Sequence, residues 1–271
     1  MRRLDAHVHF WQFDPQRDAW INDDMRVLQR DFLPADLAPI LTENGFDGCI
    51  AVQADQSETE NRFLLTLAQQ NPIIKGVVGW IDLLSPAVEE KLQEKQPILK
   101  GFRHILQGER NRQFMLQPAF LNGVKTLGKY GYSYDILIYP DQLLYASHFA
   151  ALCDNQKLII DHIAKPAIGR NDTKQWAKDI RAFKSMTHVY CKLSGIITEC
   201  DWKNWQRDEI ASRVDTVLET FGIDRLLFGS DWPVCLLAGD YRQVVELAAS
   251  FCSEAEQEKL FYKNIQAFYN C

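Results

Sequence analysis

Two histidines near the start of the chain and an aspartate near its end are residue types that can activate water. His7 and His9 follow an apolar segment in Asp-Ala-His-Val-His, and Asp231 follows another in Phe-Gly-Ser-Asp-Trp-Pro. If the first segment is a strand, the two histidines project to the same side, because alternate strand residues do so. Two imidazoles and one carboxylate can hold a metal ion or act in general-base hydrolysis. They can meet only if the sheet closes into a barrel that brings the chain ends together.

Asp231 is the candidate general base that would take a proton from water. The ordinary pKa of an aspartate, about 4, is low for a base at neutral pH. We expect burial of this carboxyl group, or a metal-bound water of lowered pKa, to correct the mismatch. The alternative is structural: Asp231 would cap the loop after the last strand, and His7 and His9 would bond to the backbone.

Polar residues also follow two other predicted strands. His162, in Asp-His-Ile-Ala-Lys-Pro, is a candidate third imidazole, and the alternative is a loop histidine with a satisfied hydrogen bond. Arg103 and His104 end the fourth strand and are candidates to bind a carboxylate or sugar hydroxyls, although a strand-end arginine is often part of a surface ion pair. Lys165 is a candidate either to orient the substrate or to cap its own loop.

Two tryptophans, one in a predicted loop and one at the end of a predicted strand, are candidates to stack against a ring. Trp20 and Trp80 are the substrate-binding candidates of this kind, with packing at the end of the barrel as the alternative. Glu109, in the loop after Arg103 and His104, is equally consistent with a solvated carboxylate and with a ligand of the site.

The elements that must position these residues alternate between short β-rich runs and longer amphipathic runs. Eight strands alternating with helices predict a parallel sheet closed as a single-domain TIM (β/α)8 barrel over residues 1–271, with the site at the carboxyl ends of the strands. The predicted strands are Leu4–Val8, Gly48–Gln53, Ile74–Trp80, Ile98–Phe102, Tyr134–Ile138, Leu158–Asp161, Val189–Leu193 and Leu226–Phe228. The predicted helices begin near Pro34, Glu58, Pro86, Pro118, Gln142, Lys174 and Glu209, and two more cover Asp240–Phe251 and Ser253–Tyr269.

The composition argues against several classes of partner. The net charge of -6 and the pI of about 5.6 do not favour nucleic acid or an anionic membrane surface. No apolar run approaches the roughly 20 residues of a membrane-spanning helix. The seven cysteines are scattered and form no CxxC pair, and no signal sequence is recognisable. We therefore expect a cytoplasmic protein with reduced thiols, and a homo-oligomer stays open.

Four segments together resemble the amidohydrolase superfamily and, within it, the lactonase branch. They are DAHVHFW, GFRHILQ, DHIAKP and LLFGSDWPV, and they span most of the chain in this order. That branch includes L-fuconolactonases, L-rhamnonolactonases and pyrone dicarboxylate lactonases. The resemblance implies a distorted (β/α)8 barrel that hydrolyses a cyclic ester. It matches His7 and His9 to the first-strand histidine pair, Asp231 to the aspartate that activates water, and His162 to the histidine after the sixth strand.

The resemblance also bears on the metal content. Superfamily members with two metal ions carry a bridging carboxylated lysine or a glutamate on the fourth strand, whereas this strand ends in Phe-Arg-His. We therefore expect one divalent ion, with zinc favoured, or none. The candidate ligands are His7, His9, His162 and Asp231.

The leading functional interpretation is hydrolysis of a neutral sugar-acid lactone of the L-fucono- or L-rhamnono-lactone type. A pyrone dicarboxylate would require several arginines at strand ends, and only Arg103 ends a predicted strand. The runner-up is a zinc-dependent decarboxylase of the same superfamily, for which a tightly bound zinc ion and no lactone turnover would argue. The third alternative is a barrel that binds a ligand without turning it over, which inactivity against many lactones would favour.

Overall fold

Eight parallel strands, paired in the order in which they occur in the chain, form the centre of the computed structural model. The structure describes residues 2–94, 96–168 and 174–271. Three strands have the predicted bounds, and the fourth runs two residues further than predicted, so that Arg103 and His104 are its last residues. The strands are β1 (Leu4–Val8), β2 (Gly48–Val52), β3 (Ile74–Gly79), β4 (Leu99–His104), β5 (Ser133–Ile136), β6 (Leu158–Ile160), β7 (Val189–Leu193) and β8 (Leu226–Phe228).

Helices follow the strands as the alternation predicts. The helix predicted at Pro86 begins at Val88, and the helix predicted over Ser253–Tyr269 is interrupted by a π-helical segment at Lys259–Lys263. No helix in the part of the chain that the structure describes is both long and apolar enough to cross a membrane. The helices are α1 (Pro34–Glu43), α2 (Glu58–Gln70), α3 (Val88–Leu92), α4 (Pro118–Lys129), α5 (Leu143–Leu152), α6 (Lys174–Ile180), α7 (Arg207–Phe221), α8 (Tyr241–Ala249), α9 (Glu254–Glu258) and α10 (Asn264–Tyr269).

The barrel is closed between the end of β1 and the segment that follows β8. The backbone N–H of Asp231 donates to the carbonyl of His7 at 2.9 Å, and the N–H of His9 donates to the carbonyl of Trp232 at 2.7 Å. The buried carboxylate of Asp5 adds a side-chain connection, because it accepts hydrogen bonds from the backbone N–H of Ser230 and from the hydroxyl of Tyr241, each at 3.0 Å. The closing bonds therefore involve the residues that the sequence analysis selected for chemistry.

A small apolar core fills the interior of the barrel. Its strand residues come from β1, β2, β3, β6 and β8, and strands so far apart in the sheet can share one cluster only across the inside of a closed barrel. Three residues of α10 join this cluster, so the last helix of the chain covers one end of the barrel. The members are Leu4, Ala6, Ile50, Val52, Val78, Ile159, Leu227, Ile265, Phe268 and Tyr269.

We predict that Phe268→Ala lowers the free energy of unfolding by about 3–5 kcal/mol, the usual cost of truncating a buried phenylalanine. Phe268 is buried in the interior core, and its ring contacts those of Tyr190 and Tyr269. Urea unfolding followed by circular dichroism measures the change. Leu152→Ala is the control, because Leu152 is half exposed on α5, and a change of more than about 1 kcal/mol should not occur there. A loss of less than about 1 kcal/mol in Phe268→Ala would contradict a stabilising role for α10.

Candidate active site

Three imidazoles surround one carboxylate at the closure of the barrel. The Oδ1 atom of Asp231 lies 3.3 Å from Nε2 of His9, 3.7 Å from Nε2 of His7 and 3.9 Å from Nε2 of His162. The Nε2 atoms of His7 and His9 are 3.1 Å apart. All four residues are buried. The structure thus brings together the four residues that the sequence analysis selected as catalytic or metal-ligating.

The backbone that carries His162 is strained. The residues His162–Lys165 all have positive φ, with values of 54, 48, 58 and 49°, and Asp231 has a φ of 59°. A left-handed conformation costs roughly 1–2 kcal/mol for a residue with a Cβ atom. The indole N–H of Trp176 donates to the carbonyl of Ile163 at 2.9 Å and helps to hold this turn. Such strain is typical of functional sites whose surroundings enforce a geometry.

The ring of His162 is held from the side opposite to Asp231. Its Nδ1 atom lies 2.9 Å from the hydroxyl oxygen of Ser194, which leaves Nε2 directed at the carboxylate. Gly195 allows this approach, because a Cβ atom there would lie 2.5 Å from Nδ1 of His162. Gly195 also has a φ of 59°, which only glycine adopts without cost.

Arg103 lies beneath the imidazoles and not on the open surface. Its Nη1 atom donates to Oδ2 of Asp161 at 3.0 Å and lies 3.3 Å from Nε2 of His7. Its Nε and Nη2 atoms donate to Oε1 of Gln53 at 3.2 and 2.9 Å, and Nη2 also donates to the carbonyl of Gln53. Each guanidinium nitrogen therefore faces a protein partner. The substrate-binding role of Arg103 stays a prediction, and the structure adds that it holds Gln53 and Asp161 in place.

A buried ion-pair network, which the sequence analysis missed, supports the site from below. Nζ of Lys192, on β7, lies 2.5 Å from Oδ2 of Asp135, 3.0 Å from Oδ1 of Asp161 and 3.1 Å from Nδ1 of His7. All four side chains are fully buried. The sequence did contain a signal for this network. Lys192 lies inside a predicted buried strand, and a buried charge requires a partner of opposite charge. Asp161, which precedes His162 in the chain, also pairs with Arg103 at 3.0 Å.

The buried environment sets the protonation states of the site. Burial lowers the pKa of His162 to about 4, and burial together with Lys192 lowers the pKa of His7 well below 6.5. Burial alone would raise the pKa of Asp231, but the adjacent His162, His9 and His7 outweigh it and hold that pKa below 3.8. The expectation that burial would raise the basicity of Asp231 was therefore wrong. At neutral pH the site presents an anionic Asp231 beside uncharged His7 and His162.

The remaining predicted substrate-binding residues lie at the carboxyl ends of other strands. His104 stacks on Phe114 at 5.0 Å, and its Nε2 atom lies 2.8 Å from Oε1 of Glu109. Nζ of Lys165 lies 3.2 Å from Oε1 of Glu199. Glu109 therefore pairs with a histidine, and His104 and Lys165 each have a carboxylate partner.

The two tryptophan candidates lie in loops after β1 and β3. Trp20 is 45% exposed and meets the ring of Trp11 edge-on at 6.1 Å, so it is available to contact a ligand. Trp80 is tied to α2, because its backbone N–H donates to Oδ1 of Asn61 at 2.8 Å and its carbonyl accepts from Nδ2 of Asn61 at 2.5 Å. A substrate contact by either ring stays a prediction.

Three of the four candidate metal ligands fit a single divalent ion. Ligand atoms of His7, His162 and Asp231 all lie within 4.8 Å of one another and are buried. Two ligands bound tetrahedrally at about 2.1 Å from zinc would be ~3.4 Å apart, close to the 3.7 and 3.9 Å that separate Asp231 from these imidazoles. Two imidazoles and a carboxylate are a donor set that zinc accepts. The structure is therefore compatible with one metal ion at this point.

The fold and this cluster define the class of protein. A sequence model of the amidohydrolase family matches residues 4–271, and the chain belongs to this family. The barrel fold and the amidohydrolase family expected from the sequence are thereby confirmed.

Individual relatives show which kinds of amidohydrolase this chain is similar to. The chain is 40% identical to an L-fucono-1,5-lactonase from Burkholderia multivorans over 96% of this chain and 93% of the relative, and 31% identical to an L-fucono-1,5-lactonase from Burkholderia ambifaria over 88% and 83%. A crystal structure of an amidohydrolase from Burkholderia multivorans with bound zinc superposes with a TM-score of 0.96 at 38% identity, covering 100% of this chain and 99% of that one.

One further buried carboxyl group lies near the carboxyl end of β2. Oε1 of Glu60, in α2, accepts a hydrogen bond from the backbone N–H of Ala54 at 2.9 Å. Burial raises the pKa of Glu60 to about 7, against the opposing effects of this hydrogen bond and of the nearby Arg17; the charge of Asp55 raises this pKa and the backbone N–H of Asp55 lowers it. Ionising Glu60 therefore costs folding free energy. Because the pKa is raised in the folded state, the contribution of Glu60 to stability is greatest below about pH 4.5 and declines as the pH rises to about 7.

We predict that Glu60→Gln stabilises the protein more at pH 8 than at pH 5, by about 2 kcal/mol. Glutamine keeps the acceptor for Ala54 but carries no charge to bury. Urea unfolding at both pH values measures the difference from wild type. Glu43→Gln, which removes a charge from an exposed site at the end of α1, is the control. A Glu60→Gln effect that is equal at the two pH values would contradict the cost assigned to this carboxylate.

Proposed function

We propose that this protein hydrolyses the ester ring of a sugar-acid lactone, with L-fucono-1,5-lactone as the first substrate to test. The supporting observation is the buried cluster of His7, His9 and His162 around Asp231, in a chain 40% identical over nearly its whole length to an L-fucono-1,5-lactonase. An anionic carboxylate beside the neutral imidazoles of His7 and His162 suits the addition of water to an ester carbonyl, which needs one proton acceptor and several donors.

In the proposed reaction Asp231 takes the proton of the attacking water. Negative charge then develops on the carbonyl oxygen, and N–H groups of the imidazoles beside Asp231 are the donors that would stabilise it. Collapse of the tetrahedral species breaks the bond to the ring oxygen, which takes up the proton that Asp231 removed from water and becomes a hydroxyl group, so that Asp231 is again a carboxylate. A divalent ion held by His7, His162 and Asp231, when bound, would polarise the carbonyl and acidify the water.

The charges around the site favour a neutral substrate. Lys165 is paired with Glu199, His104 with Glu109, and Arg103 with Asp161. A dicarboxylate would have to displace these partners, whereas a neutral lactone needs only hydrogen bonds and an aromatic wall. We therefore infer that the hydroxyl-bearing ring of an aldonolactone lies near His104 and Lys165, and that Trp20 and Trp80 are the aromatic candidates.

The alternatives have less support. A zinc-dependent decarboxylase would use a similar ligand set, but the curated relatives at 40 and 31% identity are lactonases. A non-catalytic barrel would not require buried ionisable groups around strained residues. All seven cysteines are free, which supports the proposal of a cytoplasmic protein.

A pH-indicator assay of the purified protein against a panel of aldonolactones tests the proposal. Each lactone is assayed after treatment with chelator and again with added zinc. We expect turnover of L-fucono-1,5-lactone and of related six-carbon or deoxy sugar lactones. Turnover confined to pyrone dicarboxylates, or of none of the lactones in either condition, would contradict the proposal.

We predict that Asp231→Asn lowers kcat by about 10² to 10⁴-fold and leaves the protein folded, because asparagine keeps the shape but cannot accept a proton. Steady-state hydrolysis and a thermal melt measure the two effects. Asp224→Asn, at a carboxylate 73% exposed, is the matched control and should retain wild-type kcat. A folded Asp231→Asn variant with more than about a tenth of wild-type kcat would transfer the base role to a histidine.

We predict that Gly195→Ala lowers kcat at least about tenfold, because the added methyl group would displace the ring of His162. Gly45→Ala is the matched control: Gly45 also has positive φ, of 71°, but its Cβ would meet no atom within 4 Å. Both substitutions therefore carry a similar backbone cost of about 1 kcal/mol, visible in a thermal melt. Equal kcat values for the two variants would show that the position of His162 does not matter for turnover.

A further inference from the structure

The ammonium group of Lys165 lies at the edge of the imidazole cluster and is paired with one carboxylate. Lys165 is the last residue of the left-handed turn that begins at His162, and its backbone N–H donates to the carbonyl of His162 at 2.8 Å. Burial is the main cause of the low pKa of His162, and the charge of Lys165 lowers that pKa further. Nζ of Lys165 lies 3.2 Å from Oε1 of Glu199. A cation therefore lies beside the proposed site, and Glu199 balances its charge.

The other two cationic candidates are less available to a ligand. The guanidinium group of Arg103 is occupied by protein partners, and its side chain is only 4% exposed. The ring of His104 stacks on Phe114 and meets Phe120 edge-on, and its side chain is 13% exposed. The side chain of Lys165 is 18% exposed, which makes its charged group the most open of the three.

Three consecutive loops at the carboxyl ends of the strands meet at this ammonium group. Tyr139 follows β5, Lys165 follows β6 and Glu199 follows β7. Nζ of Lys165 lies 5.9 Å from the centre of the ring of Tyr139, which is 41% exposed. The side chain of Glu199 is 21% exposed. Together these groups offer an aromatic face, a hydrogen-bond donor and an acceptor, whereas the charges of the pair cancel.

We propose that Glu199 is a specificity-determining residue that keeps the enzyme selective for neutral substrates by neutralising Lys165. This inference rests on the proposed lactonase function. A carboxylate on a substrate can reach Lys165 only by replacing the carboxylate of Glu199, and the displaced Glu199 would then repel it. A hydroxyl group can accept a hydrogen bond from Lys165 and donate one to Glu199 without separating the pair.

Glu199→Gln should therefore admit an anionic substrate. Glutamine keeps an oxygen acceptor for Lys165, but an amide does not cancel the charge of the ammonium group. The loop should keep its place, because the hydrogen bond from the backbone N–H of Ile168 to the carbonyl of Glu199, at 3.2 Å, does not involve the side chain. A new hydrogen bond between an ammonium group and a ligand carboxylate corresponds to a gain of roughly 10- to 100-fold in affinity.

A matched pair of lactones measures this change. L-Galactaro-1,5-lactone carries a carboxylate where L-fucono-1,5-lactone carries a methyl group, and the two are otherwise alike. The values of kcat/KM are compared at pH 7 after subtraction of spontaneous opening. We expect the wild type to prefer the fuconolactone, and Glu199→Gln to raise the ratio of galactarolactone to fuconolactone at least about tenfold. A folded variant with an unchanged ratio, or a wild type without this preference, would overturn the proposal.

Glu219→Gln is the matched control for the change in net charge. Glu219 lies on α7 and pairs with Arg181 at the same distance of 3.2 Å, but its side chain is 64% exposed and far along the chain from the site loops. We expect this variant to keep the wild-type ratio. An equal rise in both variants would show that only the net charge of the protein matters, and it would overturn the role of Glu199.

A double variant tests whether Lys165 is the group that receives the carboxylate. In Glu199→Gln combined with Lys165→Gln, we expect the gain with the galactarolactone to disappear, because no ammonium group remains at this position. Thermal melts of the single and double variants confirm that both are folded. A gain that persists in the folded double variant would mean that the carboxylate binds elsewhere, and the proposal would fail.

Binding of the open-chain product separates this inference from the proposed function. Calorimetric titration with galactarate requires no turnover, and we expect Glu199→Gln to bind it at least about tenfold more tightly than the wild type. If the wild type opens no lactone, the proposed function fails, but the galactarate titration still decides the role of Glu199. No gain in affinity for galactarate would overturn the inference, even if the lactonase activity is confirmed.

Discussion

The backbone contact that closes the barrel is the interaction on which the rest of the site depends. The segment after β8 joins the end of β1 through bonds from Asp231 N–H to the carbonyl of His7 and from His9 N–H to the carbonyl of Trp232. Both connections are made by residues of the cluster or their immediate neighbour. Closure and assembly of the site are therefore one event: residues more than 200 positions apart in the chain become adjacent because the sheet is completed there. Asp5 reinforces the contact through Ser230 and Tyr241.

Closure also allows the interior to hold charges that would otherwise be too costly to bury. Lys192 and Arg103 offset Asp135 and Asp161, and removing one partner of such a buried pair typically costs about 3–5 kcal/mol. The same rigid frame holds His162 and Asp231 in left-handed backbone conformations. A site prepared in this way needs little reorganisation when charge develops on a substrate, which is the main requirement for electrostatic stabilisation.

Much of the fold and the four clustered residues could be predicted from the sequence, and the supporting residues could not. Alternation of strands and helices gives the barrel, and the His-x-His spacing places His7 and His9 together. The network around Lys192 was missed because a lysine inside the strand Val189–Leu193 signals only that a partner of opposite charge is needed, and periodicity alone does not show which charge on another strand faces it. The left-handed turn after β6 was unforeseen because it contains Ile163, a β-branched residue that disfavours positive φ. Tertiary contacts such as that of Trp176 enforce it.

Hydrolysis of L-fucono-1,5-lactone in oxygen-18 water is the measurement that tests the central claim most directly. If Asp231 directs water at the carbonyl carbon, the enzyme-dependent product should carry one labelled oxygen in its carboxylate, and the hydroxyl released from the ring should stay unlabelled. Mass spectrometry of the product and its fragments locates the label, and a reaction without protein corrects for spontaneous opening. Label in the released hydroxyl would mean cleavage on the sugar side of the ester oxygen. That result, or a rate no greater than the spontaneous one, would contradict the account.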